Sequence, residues 1–256
     1  MSVLSVSEHP HYVELKLNRP DKRNALNTEL VDALTQSFEE YSNCDWVRLI
    51  VLTGEGDAFS AGADLESLKR LQSATLEENT RDSAQLARMF DVIYSCNKPI
   101  LGAINGHALA GGCGLASMCD VTVSVPQAKF GYTETRIGFV PAIVSKFLLE
   151  KIGESRARML LLSGSVISAE EACRIGLVTE VSDQFDDRCA YWIDLFTKQV
   201  SPEAVHRTKR LLREIPDMSV TECLDRAVVE NATARMTDDC KKGITAFLNK
   251  EKVVWD

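Results

Sequence analysis

Two glycine-rich loops constrain this sequence more than any other feature. Each follows a short apolar strand and runs into a helix. The first is Asp57-Ala58-Phe59-Ser60-Ala61-Gly62-Ala63-Asp64-Leu65, after the apolar run from Arg48 to Thr53. The second is Asn105-Gly106-His107-Ala108-Leu109-Ala110-Gly111-Gly112-Cys113-Gly114, after Pro99 to Ile104. Small residues at a strand-to-helix turn let a ligand approach the backbone, and the helix start presents unpaired N–H groups. Such donors suit an anion, or an oxygen that becomes anionic during reaction. Two converging loops can aim two donors at one oxygen, although either loop alone is equally a tight turn. A dinucleotide site fits less well. Gly112-x-Gly114-x-x-Ser117 ends in Ser where the fingerprint has Gly or Ala, and Asn105 to Ala110 separates it from the strand. No acidic residue closes a second strand about 20 positions on, since Glu134 lies in loop sequence.

The flanking pattern predicts a mixed α/β fold. Val13, Leu15 and Leu17 alternate with Glu14 and Lys16, predicting a strand over Tyr12–Leu17. A helix is expected from Thr28 to Ser42, capped by Asn27, with Leu30, Leu34, Phe38 and Tyr41 on one face. A helical region from Leu65 to Cys96, a strand over Val121–Val125, loop from Phe130 to Pro141 and a short strand over Leu177–Val181 follow. Capping boxes at Ser168-x-x-Glu171 and Ser219-x-x-Glu222, and the starts Ser201-Pro202-Glu203 and Thr237-Asp238-Asp239, mark helices in the last third. Strands alternating with helices over the first two thirds imply much parallel pairing.

At 256 residues the chain is long enough to bury roughly 75% of its unfolded surface. Its net charge of −8 argues against nucleic acid and anionic membranes, which need a basic face. No apolar run approaches the ~20 residues of a membrane span, and residues 1–17 lack the pattern of a signal peptide. The eight cysteines form no C-x-x-C pair. Reduced, buried thiols in a cytoplasmic protein are expected, rather than a disulfide scaffold or a metal site.

Six segments, in order, resemble the enoyl-CoA hydratase/isomerase family, or crotonase superfamily. Asn18-Arg19-Pro20 through Asn24-Ala25-Leu26 is similar to its NRPxxxNAL, and Phe59 to Leu65 to its FxAGADL. Asn105 to Cys113 resembles NGxAxGGG, and Met118-Cys119-Asp120 its MCD. Phe130-Gly131 to Ile137-Gly138 resembles FGxxExxxG, and Ile167 to Ala172 with Gly176-Leu177-Val178 its SAxEAxxxGLV. The resemblance implies a crotonase/ClpP-like spiral of repeated ββα units over residues 1–195, then a helical trimerisation region over 196–256. It implies a homotrimer or homohexamer acting on an acyl-CoA thioester, with coenzyme A part of the substrate and no separate cofactor. The backbone N–H groups of Ala63 and Gly111 would stabilise an enolate oxygen, and Glu134 would be the acid/base. Lys22, Arg23, Ala25, Ala61, Gly62, Asp64, Leu65, Gly112, Gly114 and Lys250 would contact the CoA substrate.

The sequence departs from the hydratase pattern at Gly114, where the family can carry a first glutamate; Glu134 fills the second position. Hydration is best served by two carboxylates, whereas moving a double bond needs one. Against that, Arg136 to Val144 resembles bacterial members similar to methylglutaconyl-CoA hydratases, which favours hydrating a short or branched enoyl-CoA. Double-bond isomerisation stays open, as does a non-catalytic CoA-binding or structural oligomer. Asp64 is expected to cap a helix, and His107 and Cys113 to pack. Lys16, Arg19, Lys22 and Arg23 against Asp21 form a local positive cluster. The resemblance sets it against the CoA nucleotide, with Arg23 or Lys22 in contact there.

Overall fold

The computed structural model describes residues 2–255, apart from the side chain of Leu65. β1 (Leu4–His9) and β2 (Tyr12–Leu17) form an antiparallel hairpin. β2 then pairs in parallel with β3 (Leu49–Gly54), β3 with β5 (Ile100–Ile104), and β5 with β7 (Val121–Ser124). The two-residue β10 (Glu180–Val181) closes that six-stranded sheet, again in parallel. β3 is buried along its whole length, as expected for a parallel strand covered on both faces.

A second sheet is built from three-residue strands: β4 (Ala58–Ser60), β6 (His107–Leu109), β8 (Lys129–Gly131) and β9 (Val166–Ser168). β4, β6 and β8 pair in parallel, and β8 pairs with β9 antiparallel. β3, β5 and β7 therefore each hand the chain to a short strand of the second sheet and then to a helix. This repeat winds as a ββα spiral. α4 (Gly111–Met118) follows β6, while α2 (Leu65–Gln72) and α3 (Leu76–Ser95) follow β4. α1 (Thr28–Ser42) covers the first sheet with Leu30, Leu34, Phe38 and Tyr41 buried, capped by Asn27.

From α5 (Ala142–Ile152) onward the chain is mostly helical: α6 (Glu154–Ser163), α7 (Ala169–Arg174), α8 (Phe185–Asp194), α9 (Pro202–Glu214), α10 (Val220–Ala234) and α11 (Asp238–Asn249). Ser168, Ser201, Ser219 and Thr237 accept N–H bonds as their caps.

Several boundaries differ from the sequence expectation. The stretch expected to be one helical region, Leu65 to Cys96, breaks at residues 73–75, where Thr75 and Glu78 form a capping box that starts α3. The strand expected over Leu177–Val181 shrinks to Glu180–Val181, because the Leu177 and Val178 N–H groups close the turn onto Ala172 O. The loop expected over Phe130–Pro141 holds the end of β8 and one 3-10 turn, Glu134–Ile137. All eight cysteines are unpaired thiols, and Cys96, Cys113, Cys119 and Cys189 are buried. Among the described residues no helix is long and apolar enough to cross a membrane.

Candidate active site

The two glycine-rich loops meet. Gly62 holds φ at +88°, and a Cβ there would fall 2.6 Å from Ala110 Cβ and 3.2 Å from Gly111 N. Only glycine permits both that backbone conformation and that approach. The neighbouring Ala63 is exposed and Gly111 half-buried. Neither N–H has an acceptor among the described residues. Gly111 opens α4, so its N–H belongs to the unsatisfied first turn. Ala110 holds φ 48° and ψ −125° just before it, a conformation that costs a non-glycine residue about 1–3 kcal/mol.

Asn24, fully buried, holds the first loop in place. Its Nδ2 donates to Ala58 O at 2.7 Å and Glu55 O at 2.9 Å, and its Oδ1 accepts from Arg19 N at 2.9 Å. Ser60 Oγ donates to Asn24 O at 2.9 Å, Ala61 N to Arg23 O at 2.9 Å, and Leu26 N to Gly62 O at 2.7 Å. The segment after β2 is thereby stitched along the donor loop. Asp64 caps α2 through Oδ1, which accepts from Glu66 N and Ser67 N at 2.8 and 3.3 Å. Its Oδ2 pairs with Arg19 Nη2 at 2.8 Å. Burial pushes the Asp64 carboxyl up, but the Arg19 guanidinium and the two N–H groups outweigh it and hold the pKa below the usual value.

Glu134 arrives on the same side. Gly131, at the end of β8, accepts Ala110 N–H at 2.7 Å, so the chain carrying Glu134 leaves the sheet beside Gly111. Tyr132 is buried and donates its hydroxyl to Cys113 O at 3.3 Å, tying this segment to the first turn of α4. Glu134 then starts the 3-10 turn that ends at Gly138, in the left-handed region at φ 76°. Its Oε2 is buried with no hydrogen-bond partner, and burial raises its pKa above the usual carboxylate value. A carboxylate with one desolvated, unpartnered oxygen, on the segment that leaves the sheet beside Gly111, is the arrangement expected of an acid/base group.

This constellation coincides with a family. The sequence model of the enoyl-CoA hydratase/isomerase family matches residues 11–256. The chain belongs to that family. A Thermus thermophilus protein that carries an enoyl-CoA hydratase name is 40% identical over 246 residues, covering 95% of this chain and 96% of the relative. The 2,3-dehydroadipyl-CoA hydratase of Escherichia coli is 34% identical, covering 98% and 97%. The crystal structure of an enoyl-CoA hydratase from Shewanella pealeana superposes with a TM-score of 0.93 at 26% identity, covering 99% of this chain and 96% of that one.

Gly114, where the sequence analysis finds a departure from the two-glutamate pattern, does not face the site as an open space. It is buried, and a Cβ there would lie 2.5 Å from Val144 Cγ1 and 3.0 Å from Phe90 Cζ. Helices α3 and α5 have filled the volume a side chain would need. Gly114 therefore packs in the core, against Val144 and Phe90. Gly112 is also buried, against Ser60: a Cβ would meet Ser60 O at 2.4 Å. Ala25 is buried under the Arg19 guanidinium, which donates to its carbonyl. Ala61 is half-buried at the loop edge, and the Leu65 side chain lies outside the described residues.

The basic cluster is largely neutralised. Lys16 Nζ lies 3.4 Å from Glu14 and 3.7 Å from Glu55, Arg19 is taken by Asp64, and Lys22 pairs with Glu66 at 2.8 Å. Arg23, exposed at φ 50°, has no side-chain partner among the described residues. Lys250 is not brought to this cluster within one chain. The tail after α11 runs to buried Arg48, whose Nη1 donates to Trp255 O and Thr197 O, each at 2.8 Å. Arg48 precedes β3, whereas Lys22 and Arg23 follow the other end of the parallel strand β2.

His107 is exposed on β6. Burial pushes the Cys113 thiol up to about 12, so it packs and does not react. Sequence reasoning missed Asn24, Ser60 and the Ala110 strain. Asn24 and Ser60 stood inside the matched motifs, but nothing in their spacing shows that one braces the other.

Proposed function

We propose that this chain hydrates a short or branched 2-enoyl-CoA thioester, with Glu134 as its one acid/base. The observation that carries the reading is the buried, unpartnered Glu134 Oε2 beside two N–H groups that have no acceptor. The thioester oxygen would sit between Ala63 N–H and Gly111 N–H. As water attacks C3, Glu134 takes one of its protons and charge moves through the conjugated system to that oxygen. The resulting enolate is held by the two donors, each worth a few kcal/mol of barrier. Glu134, now protonated, returns the proton to C2, and water has added across the double bond. Its raised pKa favours taking the proton from water. Hydratase names among relatives of this length support hydration.

Double-bond migration is the second reading, favoured by the apolar filling beside Gly114, which leaves one carboxylate to move protons. Incubation with crotonyl-, 3-enoyl- and 3-methylglutaconyl-CoA in heavy water separates the two by product mass. A hydratase adds water and places deuterium at C2 of the 2-enoyl substrates. Migration of 3-enoyl-CoA with no water added overturns hydration. No turnover of any of the three leaves a CoA-binding protein.

We also assign the CoA phosphates to Arg23, the cation of the first loop with no counter-charge. Residues 196–256 are assigned to assembly of a homotrimer or homohexamer. Val220, Leu224 and Val228 leave a stripe of α10 61–78% exposed, and Phe247 on α11 is 81% exposed, more apolar surface than a lone subunit keeps. The thiols fit a reducing compartment such as the cytoplasm.

A further inference from the structure

A second concavity lies away from Glu134, between α9 and the body of the fold. It reaches the C-terminal end of α4, whose opposite end carries Gly111. The length of α4 separates the two by about 12 Å. The groove encloses about 860 Å³, within the roughly 300–1,000 Å³ of small-molecule sites. Its walls are mainly apolar. Tyr94 and Phe147, with ring centroids 5.3 Å apart, line it together with Phe196, Val205 and Leu212.

Charge on the lining is unbalanced. Lys209 is neutralised by Asp120 at 2.6 Å, and Glu150 by Lys146 at 2.8 Å. Lys151 and Arg213 have no carboxylate partner among the described residues. Lys151 Nζ donates only to Cys119 O, at 2.6 Å. Arg213 donates to Tyr94 O, Ser95 O and Asn97 Oδ1 at 3.2, 2.8 and 3.3 Å. Burial lowers the Lys151 pKa and outweighs the opposing pull of the Asp120 carboxylate, which Lys209 already neutralises.

We propose that this groove binds an anionic amphiphile, a fatty carboxylate whose head sits between Lys151 and Arg213 and whose alkyl chain lies on the Tyr94–Phe147 wall. Two half-buried cations held by neutral oxygens are complementary to one carboxylate, and the apolar walls to an alkyl chain. The binding does not depend on the acyl-CoA reading, because it is measured without turnover.

The test is calorimetric titration of the full-length protein with decanoate, decanol and decyltrimethylammonium. Decanoate is expected to bind roughly tenfold or more tightly than the other two, the scale of charge-assisted hydrogen bonds. Lys151→Gln, which keeps a donor for Cys119 O, and Arg213→Lys should each weaken decanoate several-fold and leave decanol unchanged. Ala204→Trp, on the α9 wall, should abolish binding with crotonyl-CoA turnover unaltered. Equal affinity for decanol, or indifference to Lys151→Gln, overturns the proposal. So does absence of decanoate binding; an Ala204→Trp shift in sedimentation alongside it would make the groove a contact between copies of the chain.

Discussion

Gly114 is where the chemistry of this site is most open to measurement, through a single methyl group. Replacing glycine by alanine inside an exposed helix gains about 0.8–1 kcal/mol of propensity. Here the added Cβ would sit 2.5 Å from Val144 Cγ1 and 3.0 Å from Phe90 Cζ. Both side chains are buried, Val144 at 4% exposure and Phe90 at 0%, so neither can swing clear. Overpacking of this kind costs about 1–3 kcal/mol. Gly114→Ala should therefore destabilise by a net 0–2 kcal/mol, a loss of up to about 8 °C in Tm for a chain of this size. Val144→Ala removes the obstructing methyl, and in that background Gly114→Ala should become neutral or stabilising. The double-mutant cycle, read by urea denaturation, should give a favourable coupling of about 1–2 kcal/mol. A Gly114→Ala variant that is more stable than the parent by the full helix propensity, with no coupling to Val144, would refute the claim that α5 has filled the space. The same geometry predicts that Gly114→Glu, which adds an unpaired buried carboxylate, is tolerated only alongside Val144→Ala.

Glu134→Gln should abolish crotonyl-CoA turnover while raising Tm, by about 1 kcal/mol in stability, because it removes the charge from a carboxylate whose Oε2 is buried and unpartnered; unchanged turnover sinks the assignment. Since its pKa is raised, the ionised base is lost as pH falls through that raised value, so kcat/KM should decline at a higher pH than an ordinary carboxylate would dictate. Ala110→Gly relieves a positive φ and should stabilise by about 1 kcal/mol, seen as a higher urea midpoint. Arg23→Glu should raise KM for crotonyl-CoA roughly fivefold at low salt and less at high salt, with kcat unchanged. Glu230, ringed by Arg207, Arg210 and Arg226, is held down to about 2 chiefly by its bonds from Arg207 and Arg226. Its contribution is present above the ordinary glutamate pKa and is lost as pH falls toward 2. Glu230→Gln should thus cost on the order of 2–3 kcal/mol at pH 7 and progressively less in acid.

What the sequence disclosed and what it withheld divide by physical range. Helix caps are local, so Asn27, Ser168, Ser201, Ser219 and Thr237 were readable from neighbours within four positions. The Thr75–Glu78 capping box is just as local, but it sits inside an amphipathic run that hides the break. β4, β6, β8 and β9 have three residues each, too few for a period-two pattern to register, so the second sheet was invisible although it carries both donor loops. The hairpin strand β1 was missed because its residues, Leu4 to His9, show only one buried position. Pairings between distant charges were beyond reach as well. The four cations from Lys16 to Arg23 looked like one positive patch, yet Glu55, Asp64 and Glu66 silence three of them. That leaves Arg23 alone, a narrower and more testable assignment than the cluster.

The two donors and the one carboxylate also bear on how water would add. Two carboxylates can divide the work, one handling water and the other C2. On the proposed hydration, with Val144 and Phe90 closing the space beside Gly114, both proton transfers fall to Glu134. On that reading Glu134, on its 3-10 turn, works from one face of a substrate held between Ala63 and Gly111, and the oxygen and the hydrogen are expected on the same face of the double bond. The proton lost by water is then the one delivered to C2, unless Glu134 exchanges with solvent before the enolate collapses. Burial of Oε2 raises the carboxyl pKa, so on that reading the acid form is more populated than for an ordinary glutamate at the same pH. On this reading one glutamate with a desolvated oxygen completes both proton transfers of the hydration.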